Sequence, residues 1–454
     1  MTGLGKTLTT LASLEKLEGI PCLIVAPKFA LYVWESEITE WLEEHTYIYT
    51  GTPKQRREVW KQFIIDGGKF LVTNYSMLGE IASLSGIKGL EYNTAVKDTG
   101  NFKWQAMVCD EIHLGGLFNY KNQAYKILLK LARKVPVRFL LTGTPFRQGC
   151  KDLFGPLSII DPVRFNSYWK FVHTYCIVTK TFFGKTIERN PANLDAFRSL
   201  VRKYMIRRLK TDVLKELPIK TRQILYVDMN GEQKKIYKQL TEDLIAEIPD
   251  SNDVVITPSQ VSLILRQRQI LACPQVLGLK RNAAGLDLII AHSHLTIDSG
   301  NPIAIFTPFR KGIEDISAAF LKEYPKGEVY ILRGQMTAEE FGDTWKGFQS
   351  SRNPERVLIC VIKSGASFQA TKASTAYFLG FEWDFTLDEQ AEDRLYRMGQ
   401  QNNVNIYYVI NRGTVDELVK ERINEKKRSS DLVMSPNKQY QEILKRIKGQ
   451  YIKK

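Results

Sequence analysis

Several short stretches carry residue types that could act on a phosphate group. Gly3-Leu4-Gly5-Lys6-Thr7 is the second half of the pattern G-x-x-x-x-G-K-[ST], in which backbone amides cradle phosphates, a lysine reaches the β/γ-phosphates and a hydroxyl meets Mg²⁺. The loop's first position would fall before residue 1, so either this is no nucleotide site or the chain as written lacks its natural beginning. Asp110-Glu111-Ile112-His113 could hold a metal with one carboxylate and orient or deprotonate water with the other. An acidic pair alone is more often a solvated turn; its weight here comes from standing roughly a hundred residues after G-x-G-K-T. Thr142-Gly143-Thr144-Pro145 is by itself an ordinary turn, and becomes a coupling candidate through its place after the next apolar run. In Gln390 to Gln400 (QAEDRLYRMGQ), a helix would put Arg394 and Arg397 on one face. Both guanidinium groups could then meet charge developing on a transferred phosphoryl group; the alternative is a surface helix with scattered charges.

Such residues need elements to place them. Short apolar runs read as buried parallel strands at Cys22 to Ala26, Phe70 to Thr73, Ala106 to Cys109 and Val137 to Leu141. The same kind of run recurs as IAIFT from Ile303, VYILR from Val329, RVLICVI from Arg356, AYFLG from Ala376 and NIYYVI from Asn405. This is an α/β chain with two doubly wound sheets. Ligands of such sheets lie at the carboxyl ends of the strands, where DEIH and TGTP fall. From about Lys151 to Gly300 helical periodicity and charge dominate, which predicts helical insertions and a connector. The expected division is 1–150, 151–300, 301–430 and a basic tail, 431–454.

Charge narrows the partners. With 64 Lys+Arg against 49 Asp+Glu, the net charge is +15, which favours a polyanion and most simply nucleic acid; a merely soluble basic protein is the alternative. No membrane partner is expected, because no apolar run approaches a span of roughly 18 residues and the basic residues are not gathered on one amphipathic helix. The cysteines (Cys22, Cys109, Cys150, Cys176, Cys273, Cys360) are scattered without a C-x-x-C pair. A reducing cytoplasm is expected, with no zinc module.

Taken in order and at these distances, G-L-G-K-T, D-E-I-H, L-T-G-T-P and Q-A-E-D-R-x-x-R-x-G-Q resemble superfamily 2 helicase-type motors, specifically the Swi/Snf-related DNA-dependent ATPases. LIVAPKFALYVWESEITEW (Leu23 to Trp41) is similar to that family's segment after the first strand, and MIRRLKTDVLKELPIK (Met205 to Lys220) to its inter-lobe connector. RGQMTAEEF (Arg333 to Phe341) and VLICVIKSGASFQATKAS (Val357 to Ser374) match second-lobe motifs more loosely. The EDR form of the last motif and Glu382-Trp383 lean toward the annealing-helicase and phage or mobile-element branch.

The resemblance implies two RecA-like lobes with helical insertions, hydrolysing ATP with Mg²⁺ and stepping along double-stranded or branched DNA as a monomeric motor; the compact chain, with no nuclear-targeting run or chromatin-reading module, leads to the expectation of the cytoplasm of a bacterial or phage-infected cell. It implies that Gly3, Leu4, Gly5, Lys6 and Thr7 bind nucleotide, that Thr7 meets Mg²⁺ and Asp110 holds it through water, and that Glu111 activates the attacking water. His113, Thr142 and Thr144 would couple the ATP site to DNA, and Arg394 and Arg397 would act as arginine fingers with Gln390 nearby. Phosphate contacts would come from Lys28, from the Thr73-Asn74-Tyr75 turn, from Arg333-Gly334 and from Lys363-Ser364. The activities implied are remodelling of protein–DNA complexes or annealing and migration of branched DNA. A strand-separating helicase, a restriction-system motor and a DNA-binding remnant without turnover are the alternatives.

Three departures from the family stand out. The segment upstream of Gly3, which supplies a first strand and an adenine-recognising glutamine motif, is missing, and a truncated start with an exposed sheet edge is expected. Gly115-Gly116-Leu117-Phe118-Asn119 lengthens the loop after DEIH, and Ala366-Ser367-Phe368 replaces a glycine-rich turn. FNSYWKFVHTYC (Phe165 to Cys176) reads as helix packing rather than a base-stacking platform, and Thr414-Val415-Asp416-Glu417 as a capping box opening a helix through about Lys427. The tail from Lys438 to Lys454 is either a DNA contact or a solvated helix.

Overall fold

The computed structural model describes residues 4–87, 102–143, 145, 149–181, 184–208, 210–214, 216–243, 245–247, 254–256, 260–334, 336, 338–364 and 368–434. The chain divides into two compact units, one built on the residues up to Arg208 and the other on Leu209–Asn424. Among the described residues no helix is long and apolar enough to cross a membrane.

The first unit holds β1 (Cys22–Ala26), β2 (Thr46–Tyr49), β3 (Phe70–Asn74), β4 (Ala106–Cys109) and β5 (Val137–Leu140), in the order β2-β3-β1-β4-β5. Every pairing is parallel. Because helices cover both faces of a parallel sheet, its central strands are apolar on both sides. Leu23, Val25, Leu71 and Met107 enter one core cluster, whereas Cys22, Ile24, Val72 and Val108 enter the other, as the two-residue period of a strand requires. β5 is an edge, and all its residues are half-buried. The connection leaving β1 runs to one side of the sheet and that leaving β4 to the other, so their carboxyl ends border the switch point where ligands of such sheets bind. The same unit contains an antiparallel hairpin, β6 (Cys176–Thr181) with β7 (Gly184–Pro191), inside the stretch expected to be helical. Phe171 and Val172 of the helix Tyr168–Tyr175 are buried in the first core, the packing role expected of that aromatic segment.

The second unit contains β8 (Lys220–Val227), a short hairpin of β9 (Ile245–Glu247) and β10 (Val254–Ile256), then β11 (Ile303–Thr307), β12 (Glu328–Leu332), β13 (Arg356–Val361), β14 (Thr375–Leu379) and β15 (Val404–Asn411). Its main sheet runs β12-β13-β11-β14-β15-β8, parallel throughout. β8 is the unanticipated member, paired with β15 from Lys220↔Val404 to Val227↔Asn411. As an edge strand it opens with the polar residues Lys220 to Gln223, leaving only Ile224 to Val227 apolar, and its Lys220 and Arg222 disguise it. The helix from Val415 reaches Met434 rather than stopping near Lys427, with no proline before Pro436 to end it. Thr414 Oγ1 accepts from Asp416 N at 3.3 Å, while the Asp416 carboxylate turns back to Asn411. The reciprocal Glu417 bond of a capping box is replaced by that Asp416 contact.

Candidate active site

The G-K-T segment opens the helix Lys6–Lys16 at Gly5, whose φ of +66° lies in the left-handed region that glycine enters without penalty. No side chain caps this helix, so its first-turn amides keep the donors that suit an anion. Leu4 and Thr7 are half-buried at its mouth; Gly3 lies outside the described residues. The Lys6 ammonium sits 3.4 Å from Glu111 Oε1.

The DEIH segment leaves the end of β4 through a turn locked into the sheet. Asp110 N donates to Val25 O at 2.8 Å, and Ile112 N to Leu141 O at 3.2 Å. Glu111 has φ +44°, a strained conformation for a residue with a Cβ, at a cost of about 1–3 kcal/mol. The strain is held by contacts at both carboxylate oxygens. Oε1 faces Lys6, and Oε2 lies 3.1 Å from His113 Nδ1 and 3.4 Å from the Gly143 amide. His113 Nδ1 also lies 3.2 Å from Thr142 Oγ1, and its Nε2 is buried without a hydrogen-bond partner. Asp110, Glu111, His113, Thr142 and Gly143 therefore converge as the motifs implied; Thr144 lies outside the described residues.

The carboxyls are poised unequally. Burial raises the pKa of Asp110, the Glu111 charge adds to this, and the group is pushed to about 6. Burial acts the same way on Glu111, but the His113 hydrogen bond and the Lys6 charge outweigh it and hold that carboxyl well below the usual range. Lys6 approaches Glu111 rather than Asp110, so the Asp110 end is short of positive charge. A hard-oxygen set of the Asp110 carboxylate and Thr7 hydroxyl fits Mg²⁺, which would supply that charge.

The loop GGLFN is built around this turn. A Cβ on Gly115 would lie 2.2 Å from Tyr75 Cε1, and Gly116, at φ +72°, faces the Asn122 side chain that caps the next helix. The lengthened loop thus lets Tyr75 in close.

The residues assigned to DNA divide sharply. Lys28, Arg333 and Gly334 are exposed, and Lys363 is 65% exposed while lying 3.0 Å from Glu382. The side chain of Ser364 lies outside the described residues. Thr73 and Asn74 correct the expectation. Thr73 is fully buried with its hydroxyl on Tyr49 O at 2.8 Å, and Asn74 is buried, accepting from Ser76 N at 3.0 Å. Their side chains face inward because β3 is covered on both faces. Tyr75 donates its hydroxyl to Asp110 O at 2.7 Å and is committed to the acidic turn.

In the second unit the helix Phe385–Leu395 carries Gln390 and Arg394 but stops before Arg397. The shared helical face expected of Arg394 and Arg397 does not form. Gln400 explains this: its buried side-chain amide donates to Ala373 O at 2.9 Å and Leu395 O at 3.2 Å, taking the carbonyl at the helix end. Arg397 sits in the following bend, half-buried, whereas Arg394 is 5% exposed with its guanidinium 5.3 Å from the Phe368 ring. Gln390 Nε2 is buried without a hydrogen-bond partner.

The acidic letters of that motif do something sequence reasoning missed. Glu392 is fully buried and receives Arg222 at 2.6 and 2.7 Å, Lys220 at 3.1 Å and the Tyr408 hydroxyl at 2.9 Å. Asp393 lies 3.1 Å from Lys210, itself 4% exposed. Thus the connector and β8 are tied to the helix bearing Arg394. Two basic residues at alternate positions in KTR were the available signal, pointing to a strand with an acidic partner.

Comparison with known proteins follows the same lines. The SNF2-related domain matches residues 1–276 and the helicase conserved C-terminal domain residues 286–399. The probable ATP-dependent DNA helicase CHR23 of Arabidopsis thaliana is 26% identical over 454 residues, covering 93% of this chain and 40% of its own length. The human DNA annealing helicase and endonuclease ZRANB3 is 26% identical over 434 residues, covering 93% of this chain and 37% of its own. The chain spans about 40% or less of the length of these relatives. A solved Sulfolobus solfataricus SWI2/SNF2 ATPase core in complex with dsDNA covers 92% of this chain, with 84% of its own chain matched, at 22% identity and a TM-score of 0.41.

Proposed function

The chain belongs to the SNF2-related family, and from that premise we propose that it is an ATP-driven translocase on double-stranded DNA that remodels protein–DNA complexes or anneals and migrates branched DNA. The observation that carries the reading is Glu111, strained and half-buried between Lys6, His113 and the Gly143 amide at the carboxyl edge of the first sheet.

The chemistry follows from those contacts. The amides of the helix opening at Gly5 bind the β- and γ-phosphates of ATP, and Lys6 exchanges its contact with Glu111 for phosphate oxygens. That exchange removes a positive charge from Glu111 and raises its affinity for a proton just when the attacking water must be oriented. Asp110 and Thr7 would hold Mg²⁺, which would supply charge neutralisation on the phosphates. His113 passes a change at Glu111 to Thr142, and Arg394 and Arg397 meet the charge that develops on the transferred group.

Lys28, Arg333 and Lys363 contact phosphates, which position the motor without reading sequence, so binding weakens steeply with salt. Displacement of a third strand from a DNA triplex tests the reading, since it requires movement along duplex without strand separation. ATP-dependent release of the third strand is expected, with a forked duplex left paired. Unwinding of the fork without triplex release would replace this reading with a strand-separating helicase.

A further inference from the structure

Asp110 is gripped from two elements outside the phosphate loop and the acidic turn. Trp34, 1% exposed in the helix Leu31–Leu42, donates its indole N–H to Asp110 Oδ2 at 3.1 Å. Tyr75, immediately after β3, donates its hydroxyl to the Asp110 carbonyl oxygen at 2.7 Å. The Glu111 amide takes the other carboxylate oxygen, Oδ1, at 2.9 Å.

The chemical type of these donors matters. An indole N–H can only donate, and a buried one without an acceptor is costly, so Trp34 and Oδ2 each need the other. With a donor on each oxygen the carboxylate is fixed in rotation, while each oxygen keeps a further lone pair. Both donors are neutral. A lysine in place of Trp34 would cancel the charge that attracts a cation, whereas an N–H orients the carboxylate and leaves that charge intact. Burial pushes the Tyr75 phenol pKa up, keeping it a neutral donor, and Gly115 provides the room its ring needs.

We propose that Trp34 and Tyr75 are positioning residues for metal binding: Trp34 sets the orientation of the Asp110 carboxylate and Tyr75 anchors its backbone. The proposal rests on the reading of Asp110 as the residue that holds Mg²⁺. Groups that orient a ligating carboxylate in this way are worth about 10–100-fold in metal affinity.

Mn²⁺, visible by electron paramagnetic resonance, serves as the probe. It is titrated with ADP into the full chain and into Trp34→Phe, Tyr75→Phe, the double variant and Asp110→Asn. Trp34→Phe is expected to weaken Mn²⁺ binding about 10–100-fold, with ADP affinity in the absence of metal unchanged. The Mg²⁺ concentration for half-maximal turnover should rise, with kcat restored at saturating Mg²⁺. Because both residues act through one residue, Asp110, the double variant should lose less than the product of the single losses. Tyr75→Phe, which keeps the ring, carries the test if Trp34→Phe does not fold.

Folded variants with wild-type Mn²⁺ affinity would overturn the proposal and leave both residues as packing. A wild-type chain whose Mn²⁺ binding is indifferent to Asp110→Asn would bring down the reading of Asp110 itself, and this proposal with it.

Discussion

Glu392→Gln removes one charge and no volume from the most completely satisfied carboxylate in the second unit. Burial pushes its pKa up, but the charge and hydrogen bonds of Lys220 and Arg222 outweigh this and hold the carboxyl at about 2 against an ordinary 4.5. At about 1.4 kcal/mol for each tenfold change, that difference corresponds to roughly 3 kcal/mol of stability at neutral pH. A second route agrees, since breaking a buried ion pair by removing one partner costs about 3–5 kcal/mol. A depressed carboxyl pKa contributes stability above its unfolded value and loses it as pH falls toward the folded one. The gap between wild type and Glu392→Gln should therefore be full above about pH 5 and shrink between about pH 5 and 2. Urea unfolding followed by circular dichroism at stepped pH measures it, with two transitions fitted because the chain has two units. A loss below about 1 kcal/mol, or a gap that does not change with pH, would refute the reasoning.

Other substitutions test separate parts of the account. Gly115→Ala should displace the Tyr75 ring from Asp110, costing about 1–3 kcal/mol in thermal unfolding and lowering ATP turnover with it. Thr73→Val should leave DNA affinity unchanged in fluorescence anisotropy while destabilising the first unit by about 1 kcal/mol, since it deletes one buried hydrogen bond. Arg397→Ala should cut kcat by about three orders of magnitude or more in a steady-state ATPase assay. Arg394→Ala should lose both activity and stability, because that guanidinium is buried over Phe368.

What could be read from the sequence followed burial. β1, β3 and β4 are covered on both faces and announce themselves as unbroken apolar runs. Of the edge strands of the two parallel sheets, Val137–Leu140 and Glu328–Leu332 still showed an apolar run, whereas Thr46–Tyr49 and Lys220–Val227, which mix apolar residues with Thr, Lys, Arg and Gln, did not stand out. The acidic turn was legible because its residue types and place after a strand restrict the chemistry. Its geometry was not, since the contacts of Glu111 with Lys6 and Gly143 span 105 and 32 residues. Thr73 was correctly placed at a strand end, but only the packed sheet shows that its hydroxyl points inward. The helix carrying Arg394 ends where Gln400 caps it, a tertiary choice that local spacing cannot express. The basic partners of Glu392 lie about 170 residues away and became visible only with the fold.

The most direct measurement is ATP hydrolysis by the purified chain with and without duplex DNA, beside Glu111→Gln. The account predicts turnover that duplex DNA stimulates and that Glu111→Gln abolishes, with salt-sensitive DNA binding retained by the variant. Turnover indifferent to DNA, or unimpaired by Glu111→Gln, would contradict the claim that this carboxylate drives a DNA-dependent motor.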